Sequence, residues 1–261
     1  MLICPVCGKE LHTATNTMRC ENGHSFDIAK EGYINLLRAS KSGDLIGDDK
    51  FSARSRRDFL NKGFYATLQD ALCQIFRERE GKVLDICCGE GYYTAALGGN
   101  PKLQVYGFDI SREMVRLAAK RGNGTYFVAN MAAIPVAESS MDFCTHLFAP
   151  FNETAFSRTL KPGGRLITVV PGKYHLWGLK EAVYDTPYEN DEKLPQTMSL
   201  QPVSVRKVSA QVTLASNEDI QAVFRMTPYY FHTAQKDKDK LQNMESLTTP
   251  VEFVIAEYVK P

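Results

Sequence analysis

No apolar run in the 261-residue chain approaches the ~18 residues that a membrane helix needs, so no bilayer span is expected. Met1 to Lys9 lack a basic stretch followed by an apolar one, so no secretory signal is read and a cytoplasmic location is expected. Internal repeats and low-complexity tracts are missing as well, which sets aside solenoids and disordered tails. Charge of one sign is also wanting. Thirty-one Lys and Arg stand against 30 Asp and Glu, a net +1, so bulk charge does not point to nucleic acid. Seven cysteines, an odd number without an export signal, argue against a disulfide framework and for reduced thiols, some of them metal ligands. What remains is a chain 44% apolar, long enough for one large α/β domain and a small accessory module.

Local composition divides the chain into three stretches. Residues 1–36 hold Cys, Gly and His among short strand-like pieces. Residues 37–80 are charged and read as a helical connecting segment, with Ser40 to Asp49 as a loop and helices over Phe51–Phe59 and Tyr65–Arg79. In the second helix Leu68, Leu72, Ile75 and Phe76 share a face. Lys50, Arg54, Arg56, Arg57 and Lys62 stand against the single acid Asp58, which fits a solvated helix face or a contact with RNA phosphates. From residue 81 to 261 strands alternate with helices. Strands are read at Lys82–Cys87, Leu103–Asp109, Thr125–Val128, Met141–Phe148 and Arg165–Val170, with helices between them and Lys161-Pro162-Gly163-Gly164 as a turn. Ser111 is placed to cap Arg112–Lys120. This order implies a doubly wound parallel sheet. Two late strands, Val203–Leu214 and Val251–Tyr258, flank a helix from Asn217.

Cys4-x2-Cys7 is followed, after twelve intervening residues, by Cys20-x3-His24. Two thiolates two residues apart sit on one tight turn, and a second pair on another turn completes a tetrahedron around zinc. Gly8 and Gly23 stand beside the pairs, where such turns need backbone freedom. Four soft or borderline ligands leave no open position, so the metal would be structural. Ordinary buried thiols are the plain alternative. His12 is a rival fourth ligand, but it lacks a partner at turn spacing and is expected to be exposed.

Val83-Leu84-Asp85-Ile86-Cys87-Cys88-Gly89-Glu90-Gly91 is an apolar strand entering a turn of small residues, with the pattern acid-x-x-x-Gly-x-Gly. Small residues let a backbone approach a ligand at the carboxyl edge of a sheet. Twenty residues beyond Gly89, Asp109 ends the next strand, where a carboxylate can accept from both ribose hydroxyls of an adenosine. Asn130 and Met131 follow the third strand, where an adenine would lie. No Gly-Lys-Ser/Thr follows, which excludes a phosphate-binding P-loop, and Thr94 fills the third glycine position of dinucleotide folds, so a reductase fits less well.

The stretches "CPVCGKEL", "CENGHSFDIAKEGYINLL", "LDICCGEGYYT", "KPGGRLITVVPG", "HLWGLK" and "MTPYYF" together resemble the bacterial 23S rRNA (guanine-N1)-methyltransferases called RlmA, over nearly the whole chain. The first long stretch beside "GEGYYT" is the specific combination, since methyltransferases in general share only the latter. The resemblance implies a class I S-adenosylmethionine (SAM)-dependent, Rossmann-like fold behind a zinc module. It implies zinc on Cys4, Cys7, Cys20 and His24. It also implies SAM contacts at Tyr65, Gly89, Glu90 and His175, with Asp85 and Gly91 in the same turn and Asp109 on the ribose. One departure stands out: the family often has glycine at Cys87, so Cys87 is expected to fit without positive φ and to shift the turn slightly.

Methyl transfer to guanine N1 needs an aligned base and the loss of the N1 proton. No residue is named as the general base. Glu90 would orient ligand, and Asp142 reads as the start of a strand. Phe148, Phe151, Tyr229 and Tyr230 are candidates to stack on an unpaired guanine, though each fits a core as well. Leu147-Phe148-Ala149-Pro150-Phe151 stands at the strand end where amino-methyltransferases carry their target motif, without its Asp/Asn-Pro-Pro-Tyr/Phe form. The expected partner is 23S rRNA, with no membrane and with a homodimer as one arrangement for gripping RNA. Two rivals stay open: a methyltransferase acting on a quinone or antibiotic, which leaves the zinc module idle, and a non-catalytic zinc-containing RNA-binding protein.

Overall fold

The structure is a computed structural model describing residues 1–37 and 50–261. The loop expected over Ser40 to Asp49 lies outside the described residues, as does the side chain of Lys50. At the N-terminus β1 (His12–Ala14), β2 (Thr17–Arg19) and β3 (Ser25–Asp27) form a small antiparallel sheet. Then β4 (Ile34–Asn35) leaves that sheet and joins the large one. Two helices follow, α1 (Lys50–Asn61) and α2 (Ala66–Phe76).

The alternation expected from the sequence is present. It runs β5 (Gly81–Ile86), α3 (Tyr92–Leu97), β6 (Leu103–Asp109), α4 (Arg112–Arg121), β7 (Thr125–Val128), β8 (Met141–Leu147), α5 (Glu153–Thr159) and β9 (Leu160–Pro171). Next come α6 (Trp177–Val183), β10 (Gln201–Leu214), α7 (Asn217–Arg225), the short α8 (Gln235–Asp239) and β11 (Leu247–Val259). The eight-stranded sheet has the order β10-β11-β9-β8-β5-β6-β7-β4. Its strands are parallel from β9 to β4, while β10 and β11 are antiparallel additions. The Ser111 side chain caps α4 by accepting from the Met114 amide. The Lys161-Pro162-Gly163-Gly164 segment is not a free turn but part of β9, where the register with β8 shifts between Met141 and Phe143 and Gly163 takes φ 77°.

Successive strand residues point to opposite faces, and each face has its own core. Val83, Val105, Ile167, Val169, Phe253 and Ile255 pack against α2, α6 and α7. Leu84, Ile86, Phe108 and Phe127 pack on the other face, in one cluster with Leu2, Cys4, Leu11 and Cys20 from the N-terminal module. The Ile34–Phe127 and Asn35–Val128 pairings extend the large sheet with residues of that module. Its metal-binding end therefore shares a core with the sheet. Among the described residues no helix is long and apolar enough to cross a membrane.

Candidate functional site

The four N-terminal ligand atoms lie within 4.8 Å of one another. Cys4 Sγ is 3.5 Å from His24 Nδ1, Cys20 Sγ is 3.4 Å from the same nitrogen, and Cys7 Sγ is 3.7 Å from Cys20 Sγ. A tetrahedral zinc with bonds of about 2.3 Å to sulfur and about 2.0 Å to nitrogen has edges of roughly 3.8 and 3.5 Å. These three distances match those edges, and the four donors fit a zinc site. Both turns close as the spacing requires: the Gly8 amide donates to the Cys4 carbonyl and the Gly23 amide to the Cys20 carbonyl, with φ of 74° and 81° at the glycines. The Lys9 amide brings the Cys7 thiol down to about 6, toward the thiolate that a metal binds. His12 is exposed on β1, outside the cluster.

The second site lies at the carboxyl ends of β5, β6 and β8. The chain runs outward from β5 to β6 and β7 on one side and from β8 to β9 on the other, so β5 and β8 flank the switch point where open α/β sheets bind ligands. A cavity of about 290 Å³ opens there, with Tyr65, Asp85, Gly89, Glu90 and Asp109 on its wall. Cys87, Cys88, Tyr93, Ile110, Met114, Phe148 and Arg56 line it as well.

Each part of the wall has a local cause. The Asp109 carboxylate accepts from the Gly89 amide at 3.0 Å and from the Ser111 amide at 2.9 Å, which fixes the acid against the glycine turn. Such an anchored carboxylate suits a ribose diol. Gly91, at φ 80°, has no room for a side chain: a Cβ there would lie 2.7 Å from that of Ala118. Cys87 overturns its expectation, because it takes φ 58°, in the left-handed region that glycine favours. Burial pushes its thiol up to about 12, so it is inert. Asp85 is buried and accepts from the Thr94 and Thr145 hydroxyls, and burial raises its carboxyl to about 6. Glu90 is 1% exposed and paired with Arg121, yet its Oε1 has no hydrogen-bond partner among the described residues. The buried Tyr93 hydroxyl has none either. These two orphaned groups on the wall, with Asp109 and the glycine turn, are what a polar nucleoside ligand such as SAM requires.

Four expected contacts lie off this wall, the first being Gly91, whose tight fit is to Ala118. Asn130 does not line this cavity; its Oδ1 caps the turn at Met131–Ala133 by accepting from the Ala132 amide, and its side chain faces a second cavity of about 640 Å³ beside Cys4. Met131 is on neither wall, whereas Ile110 and Met114 occupy the stretch beyond Asp109. His175 lies behind the wall, with Nε2 3.0 Å from the Tyr65 hydroxyl and Nδ1 accepting from the Glu252 amide. Asp142 is structural, accepting from the Lys82 amide and from Lys161 Nζ.

The basic segment does not form one stripe. Arg54 is exposed, Arg56 lines the cavity, Arg57 is half-buried, and Lys62 is bound to the buried Asp219 at 2.6 Å. The aromatic candidates also separate. Phe151 packs on His146 and Phe156, and Tyr230 on Phe224, while the half-buried Tyr229 stacks near Tyr184. Phe148 is 44% exposed at the cavity, with φ 55°. His146, which the sequence reading passed over, sets that loop. A carbonyl can only accept, so His146 Nε2 donates to the Pro150 carbonyl at 3.1 Å and Nδ1 accepts from the Thr168 hydroxyl at 2.9 Å. No motif announces such a histidine in the middle of an apolar strand.

With this geometry the known proteins agree. Residues 2–42 match the profile of the RlmA N-terminal zinc ribbon, and residues 83–164 match that of a methyltransferase domain. The chain is 34% identical to the 23S rRNA (guanine(748)-N(1))-methyltransferase of Streptomyces fradiae, over 70% of this chain and 67% of that one. It is 29% identical to YxjB of Bacillus subtilis (strain 168), whose name places it in the same guanine-N1 class, over 98% of this chain and 96% of that one. A demethylmenaquinone methyltransferase of Bacillus velezensis is 28% identical over only 44% of this chain. The quinone-type likeness is thus too short to take in the whole molecule, whereas the guanine-type likeness runs through both the zinc ribbon and the SAM cavity. The chain belongs to the family of 23S rRNA (guanine-N1)-methyltransferases.

Proposed function

We propose that this protein transfers the methyl group of SAM to N1 of a guanine in a stem-loop of 23S rRNA. The observation that carries the reading is the union, in one chain, of the RlmA zinc ribbon with a methyltransferase cavity at the sheet's switch point. Bound SAM supplies an electrophilic methyl group on its sulfonium. The protein's own residues position the reactants. Asp109 holds the ribose, Gly89 admits the ligand to close range of the backbone, and Gly91 lets the turn pack against Ala118. Tyr65, backed by His175, and Glu90 complete the cofactor wall. Cys4, Cys7, Cys20 and His24 hold a structural zinc that shapes the ribbon and leaves chemistry to the other site.

The guanine enters beside Phe148. An unpaired base stacks on an exposed ring, and N1 of a paired guanine is engaged in its hydrogen bond to cytosine, so the target base must be unpaired. The positive φ of Phe148 is a strain that the His146–Pro150 hydrogen bond helps to hold. Arg54, exposed on α1, meets the backbone phosphates near the cavity mouth.

The test is to incubate the purified protein with labelled SAM and 23S rRNA, and separately with a demethylated quinone, and to map the product by mass spectrometry. Label at a guanine N1 in a stem-loop supports the reading. Label only on the quinone, or on an exocyclic amine, refutes it.

A further inference from the structure

The cofactor cavity carries two opposite charges close together, and the motifs account for only one of them. Glu90 brings a buried carboxylate whose Oε1 has no hydrogen-bond partner among the described residues. Arg56 brings a guanidinium from α1, a helix outside the sheet motifs. Its Nε is buried, which separates it from the exposed Arg54 two residues before. The placement follows from the helix: Ala53 and Leu60 are buried, and Arg56, three and four residues from them, turns inward on the same side. Tyr65 and Tyr93 lie on the same wall, and both hydroxyls, raised mainly by burial, feel the Arg56 charge working the other way. Glu90 feels it too, behind burial, Arg121 and Arg57. Asp109 is held elsewhere, by the amides of Gly89 and Ser111.

A cation and an anion lining the same cavity match a zwitterion. SAM has one, in the amino-acid group at the far end from its adenine. We infer that Arg56 binds the carboxylate of the methionyl group, the Tyr93 hydroxyl donating to the same carboxylate, while Glu90 Oε1 accepts from the ammonium. The inference rests on the SAM reading proposed above and deepens it. It removes Arg56 from the RNA-gripping set, so that a segment whose charges look uniform serves two ligands: α1 closes over the cofactor with one arginine and presents another to solvent. A guanidinium suits the task because its planar fork meets a carboxylate with two parallel hydrogen bonds.

The experiment is calorimetry of the full chain with two probes, S-adenosylhomocysteine and 5′-methylthioadenosine. They share the adenine, ribose and thioether, and only the first has the amino-acid group. Arg56→Gln is expected to weaken S-adenosylhomocysteine by about 10- to 100-fold, the range for a charge-assisted hydrogen bond, and to leave methylthioadenosine within about twofold. Arg56→Lys is expected to fall between, keeping charge without the fork, and Arg54→Gln to change neither. Unchanged S-adenosylhomocysteine affinity in Arg56→Gln with weaker RNA binding assigns Arg56 to RNA and overturns the inference. An equal loss for both probes, repeated in Arg56→Lys, makes the residue a fold element and overturns it too. A wild-type chain that binds neither probe sinks the SAM reading itself, which separates the two failures.

Discussion

His175 Nε2 and the Tyr65 hydroxyl meet at 3.0 Å across 110 positions of chain. Because the Glu252 amide donates to Nδ1, the neutral ring carries its proton on Nε2 and donates to Tyr65, whose own proton is then directed to a ligand. Burial holds the imidazole neutral by lowering its pKa to about 3. The unfolded chain takes up a proton near 6.5 and the folded one does not. The stability due to the neutral ring is therefore present above 6.5 and lost as pH falls toward about 3. Urea titrations should show the wild type losing a few kcal/mol relative to His175→Phe over that window. SAM affinity should show no inflection from this residue between pH 6 and 8. An inflection at 6.5 that vanishes in His175→Phe would contradict the assignment.

Asp109→Ala should weaken SAM and methylthioadenosine alike, by about 1–3 kcal/mol, because the ribose diol loses its acceptor. Calorimetry reads the loss directly. Equal affinity in the variant would move the ribose away from β6.

Metal analysis should find one zinc per chain, and Cys7→Ala should abolish it. The module shares its core with Leu84, Ile86 and Phe127, so the effect should reach the whole fold. A loss of about 3 kcal/mol in a domain this large lowers Tm by roughly 6–12 °C. Full zinc content in Cys7→Ala would mean another ligand set.

Phe148→Gly separates strain from function. Glycine adopts φ 55° without the cost of about 1 kcal/mol that an L side chain meets there, which offsets the lost ring contact with Phe253. Thermal stability should stay within about 1 kcal/mol of wild type, while methylation of 23S rRNA falls at least about tenfold for want of a stacking surface. Undiminished methylation would place the guanine elsewhere.

How much of this could be read in advance depends on distance along the chain. Asp109 was legible because one strand and one turn join it to Gly89. The zinc ligands were legible because each pair lies on a single turn. Tyr65 and His175 came only through family likeness, since nothing local links residues so far apart. That Arg56 lines the cavity could not be read in advance: a cation on an amphipathic helix fits solvent, phosphate or cofactor equally, and only packing decides which way it faces. The left-handed backbone of Cys87 was read the wrong way, because side-chain preference yielded to the turn required by Gly89, Gly91 and the Asp109 hydrogen bond. β4 was too short for any periodicity to reveal.

The order of strands in the large sheet has a consequence for synthesis. β11, late in the chain, is an interior strand between β9 and β10, and β4, early in the chain, pairs with β7 some ninety residues further on. On a ribosome the zinc ribbon can gather its four ligands while its docking strand is still unmade. The nascent chain must then keep β9 and β10 apart until residues 247–259 emerge to join them. A product lacking β11 would expose the edges of β9 and β10 at once, the arrangement most open to intermolecular pairing.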